Sequence, residues 1–402
     1  MTSSASSGTS APRKRRVAVT GYSLMTPFGF GEEAVKRHLF AGEDRFAPVT
    51  RFDTDKFRTA VAAESAFAGS FLELGMALAE SALGMARLPD GDAAVVLGTM
   101  GDYGELNRFW RERLDGVERT NRPGAAEWLP ALHPERMADR FRLRGRRLAY
   151  TNACIASSSA IAGACELIAQ GKERAALCGG YSLVTEEIFA KFNSGRAFSR
   201  DGKVRAFSRG RSGMLLGDGG AMFVLEELDS ARRRGAAVLA EIEGWGIAND
   251  AYHVCQPDPE GRGMARAMDK ALRRAGVGPE DIDYINAHGT GTPLNDASET
   301  RAVKRVFGEA AYRIPVSSTK TMTGHMLDGT GAAETAIVML AMRAGIVPPT
   351  AGYTEADPAC DLDYVPNRAR AASLRRAVNL NAAFGGFNSA IVVKSVREGE
   401  CG

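Results

Sequence analysis

The chain has 402 residues, of which 45% are hydrophobic and 25% charged, and a net charge of +3. It is too long for one average domain, holds ample apolar material for a large core, and carries no global signature of nucleic-acid binding. Six cysteines without CxxC spacing argue against a disulfide framework or a metal site, and no apolar run approaches the ~20 residues that span a bilayer.

In chain order, residues 1–14 are polar and then basic, with no apolar stretch of a secretory signal, and read as a disordered tail. Arg16 to Gly21 reads as a short β-branched strand that stops at the glycine. Phe71 to Ala86 reads as a helix. Asp92 to Thr99 reads as a buried strand and Leu148 to Ala153 as another. A small-residue helix follows from about Ser157 to Gln170, and Arg174 to Gly179 is again a strand. This alternation predicts an α/β fold with buried central sheets. Residues 102–147 read as an insertion, turn-rich around GVERTNRPGAAEW.

The second half echoes the first. DAAVVLGTMG near residue 92 matches DIDYINAHGTG near 281; the segment 148–170 matches 314–340; and 174–184 matches 377–393. Two related halves are therefore expected, 15–240 and 241–397, joined around 235–245 and flanked by the tails 1–14 and 398–402. Arginine runs at Arg13 to Arg16, Arg205 to Arg211 and Arg232 to Arg234 are either solvated surface or docking patches for an acidic partner.

Three residues carry candidate chemistry. Cys154 lies where a strand gives way to a helix, so N–H groups and the helix dipole favour its thiolate; a buried core cysteine is the other reading. His288 ends a strand and precedes Gly289, Thr290, Gly291 and Thr292, residues that can admit and bond an extended polar ligand; a histidine bonded to loop backbone is the alternative. His325 follows Gly324 and precedes a Gly/Ala helix, with Lys320 and Glu334 nearby as a charge pair for its field or as plain surface residues. Phe384-Gly385-Gly386 is a turn whose N–H groups can serve an oxyanion, or only a turn. Together, one cysteine and two histidines at strand ends of two related halves fit a Cys-His protease poorly, since a protease needs neither the second histidine nor the duplication.

The segments TNACIASSSAIAGA, NAHGTGTPLND, KTMTGHMLDGTGAAE and FGGFNSAIVV, with the opening RVAVTGYSLMTPFG, resemble the elongating β-ketoacyl-acyl-carrier-protein synthases of the thiolase superfamily. RFDTDKFRTAVAAE, AYHVCQPDPEGRGMARAM and VPPTAGYTEADPACDLDYVPNRAR are most similar to ketosynthase subunits of bacterial type II polyketide synthases. The resemblance implies an αβαβα sandwich of five layers. It implies decarboxylative Claisen condensation on Cys154, with His288 and His325 stabilising the enolate, and Lys320, anchored by Glu334, tuning His325. It also implies backbone N–H groups of Cys154 and Phe384 as the oxyanion hole, Phe384 as a gate, and Thr290 and Thr292 gripping phosphopantetheine. The expected partners are an acyl carrier protein and a second subunit, either identical or chain-length-factor-like, in the cytoplasm, without nucleic acid, membrane, metal or a cofactor bound by the chain itself. Alternatives are primary fatty-acid elongation, or acyl transfer without decarboxylation. The turn has Ala383 where relatives often carry glycine, which predicts a stiffer gate. Asp218 replaces a common glutamate with little expected effect on chemistry. Cys154 sets the chain apart from nucleophile-free partner subunits. Basic residues near Lys203, Arg205, Arg209 and Arg211 are the expected docking face for the carrier.

Overall fold

The computed structural model describes residues 15–89, 91–116 and 128–396. Both terminal tails and the turn-rich stretch at 117–127 lie outside them.

Ten strands form the frame. The first five are β1 (Val17–Thr26), β2 (Ala93–Gly98), β3 (Arg147–Tyr150), β4 (Ala175–Ser182) and β5 (Gly219–Glu227). The second five are β6 (Ala240–Asn249), β7 (Tyr284–Asn286), β8 (Val316–Ser317), β9 (Arg376–Ala383) and β10 (Phe387–Ser395). Their lateral order is β8-β7-β9-β10-β6-β1-β5-β4-β2-β3. From the middle outward, β1-β5-β4-β2-β3 and β6-β10-β9-β7-β8 repeat one pattern: two antiparallel pairings, then two parallel ones. The halves meet through a short antiparallel pairing of Val17–Val19 with Ala240–Ile242. The segment matches expected from sequence, β2 with β7, β3 with β8 and β4 with β9, coincide with this repeat.

Six helices complete the layers. Helix α1 (Phe71–Ala86) and α2 (Leu132–Phe141) cover the outer face of the first half. Helix α4 (Arg262–Ala275) covers β6 and β10, with α5 (Pro293–Phe307) packed on it. Between the half-sheets lie α3 (Ala156–Ala169) and α6 (Thr330–Ala344), each touching strands of both halves and each other. The result is the expected five-layered sandwich. Layer position follows composition. Helix α4 is amphipathic, burying Met264, Ala267, Met268, Ala271 and Leu272 while Arg262, Arg266 and Arg273 face solvent. Helix α6 is buried on every side from Thr330 to Met342, and its small residues let neighbours approach. The start of α1 is fixed by a reciprocal cap: the Glu73 N–H donates to Ser70 Oγ (3.2 Å) and the Ser70 N–H to Glu73 Oε2 (2.7 Å).

Two boundaries differ from expectation. Strand β1 does not stop at Gly21; it runs to Thr26 through a register shift between Val19 and Gly21. A Cβ at Gly21 would lie 2.3 Å from the Ala82 carbonyl oxygen, so this glycine serves the close approach of α1 rather than a turn. Strand β3 ends at Tyr150, three residues before Ala153, because Ala153 takes a left-handed φ of 54° that breaks the strand.

Candidate active site

The site lies at the carboxyl ends of the parallel strands, where loops of both halves converge over the central helices. After β3, the turn Ala153–Ile155 delivers Cys154 just ahead of α3, and the residue is buried. Sequence reasoning expected the helix end to lower its pKa. Burial does the opposite and pushes the thiol up to about 12, a rise added to by Asp328 and opposed by Lys320. Desolvation outweighs the dipole because Cys154 precedes the first turn of α3 and is shut off from water.

His288 follows β7. Its backbone N–H donates to Glu299 Oε1 at 2.7 Å, and that of Gly289 to Glu299 Oε2 at 2.8 Å, so one buried carboxylate from α5 fixes the loop. Gly289 has φ +39° and no room for a Cβ, which would stand 2.5 Å from that of Ser318. Burial raises the Glu299 carboxyl to about 7 against these donors.

His325 is clamped through its backbone: its N–H donates to Leu215 O (2.8 Å) and its own carbonyl accepts from Gly217 N–H (3.1 Å). Its ring Nδ1 accepts the Leu327 N–H at 3.0 Å, which leaves the ring proton on Nε2; Thr330 Oγ1 lies 2.9 Å from the same Nδ1. The rings of His288 and His325 face each other edge to face, with centroids 5.3 Å apart. Burial first, then the Lys320 charge, holds both imidazoles well below the ordinary histidine range, and His325 adds to the effect on His288.

Lys320 and Glu334 are not surface residues. Their side chains are 1% and 0% exposed, with Nζ 2.6 Å from Oε1. Glu334 Oε2 accepts from Asn381 Nδ2 at 2.6 Å, and Asn381 Oδ1 accepts from Ser158 Oγ at 2.8 Å. The pair is thereby tied to β9 and to α3, the helix that follows the cysteine. The rings of His288 and His325 meet edge to face, the Cys154 turn packs against Leu327–Gly329 just past His325, and the Lys320 charge bears on all three residues.

Thr290 and Thr292 lie beyond His288 with their hydroxyls 2.9 Å apart; Thr290 is buried and Thr292 half-buried at the start of α5. Phe384 is 44% exposed on the turn between β9 and β10, its ring 5.6 Å from that of Phe192. Ala383 is extended there (φ −144°), a conformation open to any residue, while Gly385 (φ 82°) and Gly386 (φ 71°) make the turn. The expected stiffening from a missing glycine therefore has no backbone basis at Ala383. Asp218 is a structural anchor. It accepts from Arg51 at 2.6 and 2.9 Å and from the N–H groups of Ser65 and Val184 at 2.7 Å each.

Three of the four basic residues expected to face the carrier already hold acidic partners. Arg205 pairs with Asp201 at 2.6 Å, Arg209 with Glu355 at 2.8 Å, and Arg211 is buried against Asp296 and Asp357. Sequence reasoning also missed Glu299, Thr330, Asn381 and Ser158. The signal for Asn381 was present, since Asn379 and Asn381 alternate in an otherwise apolar strand and so share a face. Among the described residues, five cysteines are unpaired, no group of His, Cys, Asp and Glu is arranged to hold a metal ion, and no helix is long and apolar enough to cross a membrane.

Comparison with known proteins agrees with this geometry. The family model for the beta-ketoacyl synthase N-terminal domain matches residues 71–231, and that for the C-terminal domain matches 239–354. The 3-oxoacyl-acyl-carrier-protein synthase 2 of Coxiella burnetii is 35% identical over 410 residues, which cover 95% of this chain and 99% of that protein. The solved ishigamide ketosynthase/chain length factor superposes with a TM-score of 0.88 at 32% identity, covering 96% of this chain and 100% of that one. A type II PKS acyl-carrier protein in complex with its ketosynthase, bound to the hexaketide, gives a TM-score of 0.88 at 27% identity with the same coverage.

Proposed function

The chain belongs to the β-ketoacyl synthase family, and from that premise we propose how its buried residues divide the reaction. Cys154 Sγ attacks the carbonyl of an acyl-carrier-protein thioester; the carrier sulfur leaves with the proton, and an acyl-Cys154 remains. A malonyl group on its carrier then enters past Thr290 and Thr292, which hold the phosphopantetheine arm. His325, with its proton on Nε2, and His288 donate to the malonyl thioester oxygen. Carbon dioxide departs, its electron pair passing into the enolate they hold. The enolate carbon attacks the acyl-Cys154 carbonyl, the oxyanion rests on the N–H groups of Cys154 and Phe384, and the thiolate leaves as the β-ketoacyl product forms on the carrier.

The observation that carries this reading is the edge-to-face pair of buried His288 and His325 rings, 5.3 Å apart, beside the buried Lys320–Glu334 ion pair, with the Cys154 turn packed against Leu327–Gly329. It supports a neutral imidazole pair, which is the form that donates without being consumed as an acid. Glu334 keeps the buried ammonium paired. The drive comes from loss of carbon dioxide, so the reading calls for no cofactor bound by the chain itself. We place the reaction in the cytoplasm and in a type II polyketide or polyene pathway, divided over the units 15–240 and 241–397. An acyl carrier protein is the proposed partner, in line with the complex among the solved relatives. A second subunit, identical or chain-length-factor-like, is proposed at β3. That strand pairs only with β2 among the described residues and exposes Leu148, whereas β8 at the opposite edge is covered by the Asp363 carbonyl on Val316 N–H.

Intact-protein mass spectrometry with acyl-carrier-protein thioesters tests the reading. An adduct on the wild type, absent in Cys154→Ala and resolved by malonyl-carrier protein into a chain two carbons longer, is expected. An adduct that is only hydrolysed or transferred would instead favour simple acyl transfer.

A further inference from the structure

Three buried asparagines have no part in the steps above. Asn286 on β7 and Asn379 and Asn381 on β9 are wholly buried and form a ladder across the sheet. Asn286 Nδ2 donates to Asn379 Oδ1 at 2.9 Å, and Asn379 Nδ2 reaches Asn381 Oδ1 at 3.3 Å. Asn381 Nδ2 then donates to Glu334 Oε2 at 2.6 Å. A carboxylate accepts and does not donate, so Glu334 fixes which way the Asn381 amide points. Apolar side chains would fill this core at lower desolvation cost, so a ladder completed link by link points to a task beyond packing.

The end of the ladder is a joint between three elements. Asn381 Oδ1 also accepts from Ser158 Oγ on α3 at 2.8 Å. The neighbouring Ser157 Oγ accepts the Ala332 N–H of α6 at 3.0 Å. The two helices meet so closely that a Cβ on Gly331 would lie 1.9 Å from Ser158 Oγ. Helix α3 follows directly on the turn that holds Cys154, and α6 carries Glu334. One amide grips the acid of the charge pair with its nitrogen and the nucleophile's helix with its oxygen.

We propose that Asn381 is a positioning residue for both half-reactions, holding Glu334 as the carboxylate that keeps Lys320 an ammonium within the site. The inference rests on the reading that Cys154 carries the acyl group and that His288 and His325 hold the enolate; Asn381 itself touches no substrate. Burial pushes the Glu334 carboxyl up, and the Lys320 charge, then the Asn381 amide, hold it down. Without the amide, Oε2 loses a donor in a place closed to water, and the carboxylate takes the proton of the ammonium 2.6 Å away. The charged groups about the imidazoles and the thiol are Lys320 and Glu334, Asp328 ahead of α6, and Glu299 on α5. Asn381 bonds to the acid of the first pair. Once the ammonium is lost, the imidazoles bind protons more readily and the thiolate loses its support.

The test reads the pH profile of carbon dioxide release from malonyl-carrier protein, and the alkylation of Cys154 by iodoacetamide at one mildly alkaline pH, localised by peptide mass. In Asn381→Leu the acid limb of the profile should move up by about one pH unit, and Cys154 alkylation should slow about tenfold. Ser158→Ala cuts the bond to α3 and spares the one to Glu334, so its acid limb should stay with the wild type. If Asn381→Leu does not fold, Asn381→Ala carries both measurements. An acid limb that stays in place when Asn381 is replaced, or alkylation that speeds up as in a merely loosened site, would overturn the proposal. A wild type that releases no carbon dioxide refutes the imidazole reading, while the alkylation ratio still decides the role of Asn381.

Discussion

The two halves of this chain have the same strand order and the same strand directions, yet they differ in what they place at equivalent points. After β3, residues 151–155 suffice to reach α3, and they carry one reactive group, Cys154. After β8, residues 318–329 intervene before α6, and the longer path carries Lys320, His325 and Asp328. At the ends of the paired strands β2 and β7 stand Thr99 and His288. The repeat therefore fixes where chemistry can be placed, and local insertions decide what it is. In the proposed mechanism one half takes up the acyl group, and the other prepares the carbanion.

This division can be broken from either side. Cys154→Ala should abolish the acyl adduct and lower condensation by on the order of 10³ or more, as seen by mass spectrometry and product assay. His325→Ala or His288→Ala should leave the adduct intact but slow carbon dioxide release by ~10²–10³, the usual loss for a charge-stabilising donor. Parallel loss of both half-reactions in the histidine variants would contradict the division.

Lys320→Met removes the charge that both halves share. It leaves Glu334 buried without its cation, a loss of ~3–5 kcal/mol that denaturant unfolding would register. The pH profile should move as well. In the wild type the imidazoles stay neutral until the pH falls well below their ordinary pKa, so activity is retained on the acid side. Without Lys320 their pKa values rise, and the acid limb of the rate profile should shift to higher pH. The smallest effects belong to the entrance. Thr290→Ala and Thr292→Ala should each raise the carrier-substrate KM about 2–10-fold with little change in kcat, the worth of one hydrogen bond.

Much of this was legible in the sequence, for physical reasons. The alternation of small-residue helices with β-branched strands reports burial, and Phe71–Ala86 and Ala156–Ala169 were visible to within a residue. Cys154 and His288 announce themselves because each closely follows a strand beside glycine or small residues; His325 lies not at a strand end but past the helical turn Lys320–Thr323, where Gly324 marks it. What stayed hidden depends on contacts across the chain. Nothing near Lys320 indicates that its side chain is buried, because its partner comes from the next helix and that partner's support from β9. The thiol's pKa was misjudged in direction, since the helix end is a local feature and desolvation is not. Gly21 looked like a strand stop because sequence does not reveal which helix will press against it.

The all-round burial of α6 has a consequence for the chain's life as a folding unit. This helix and α3 form one layer owned by neither half, so a chain severed between 234 and 239 yields fragments that each expose an apolar helix meant to be enclosed. Neither piece can persist alone, and only their reassociation restores the enclosure. Partial synthesis or a nick in that connection should therefore mark the whole molecule for clearance by cellular proteases, so the duplicated architecture survives or is lost as one cooperative body.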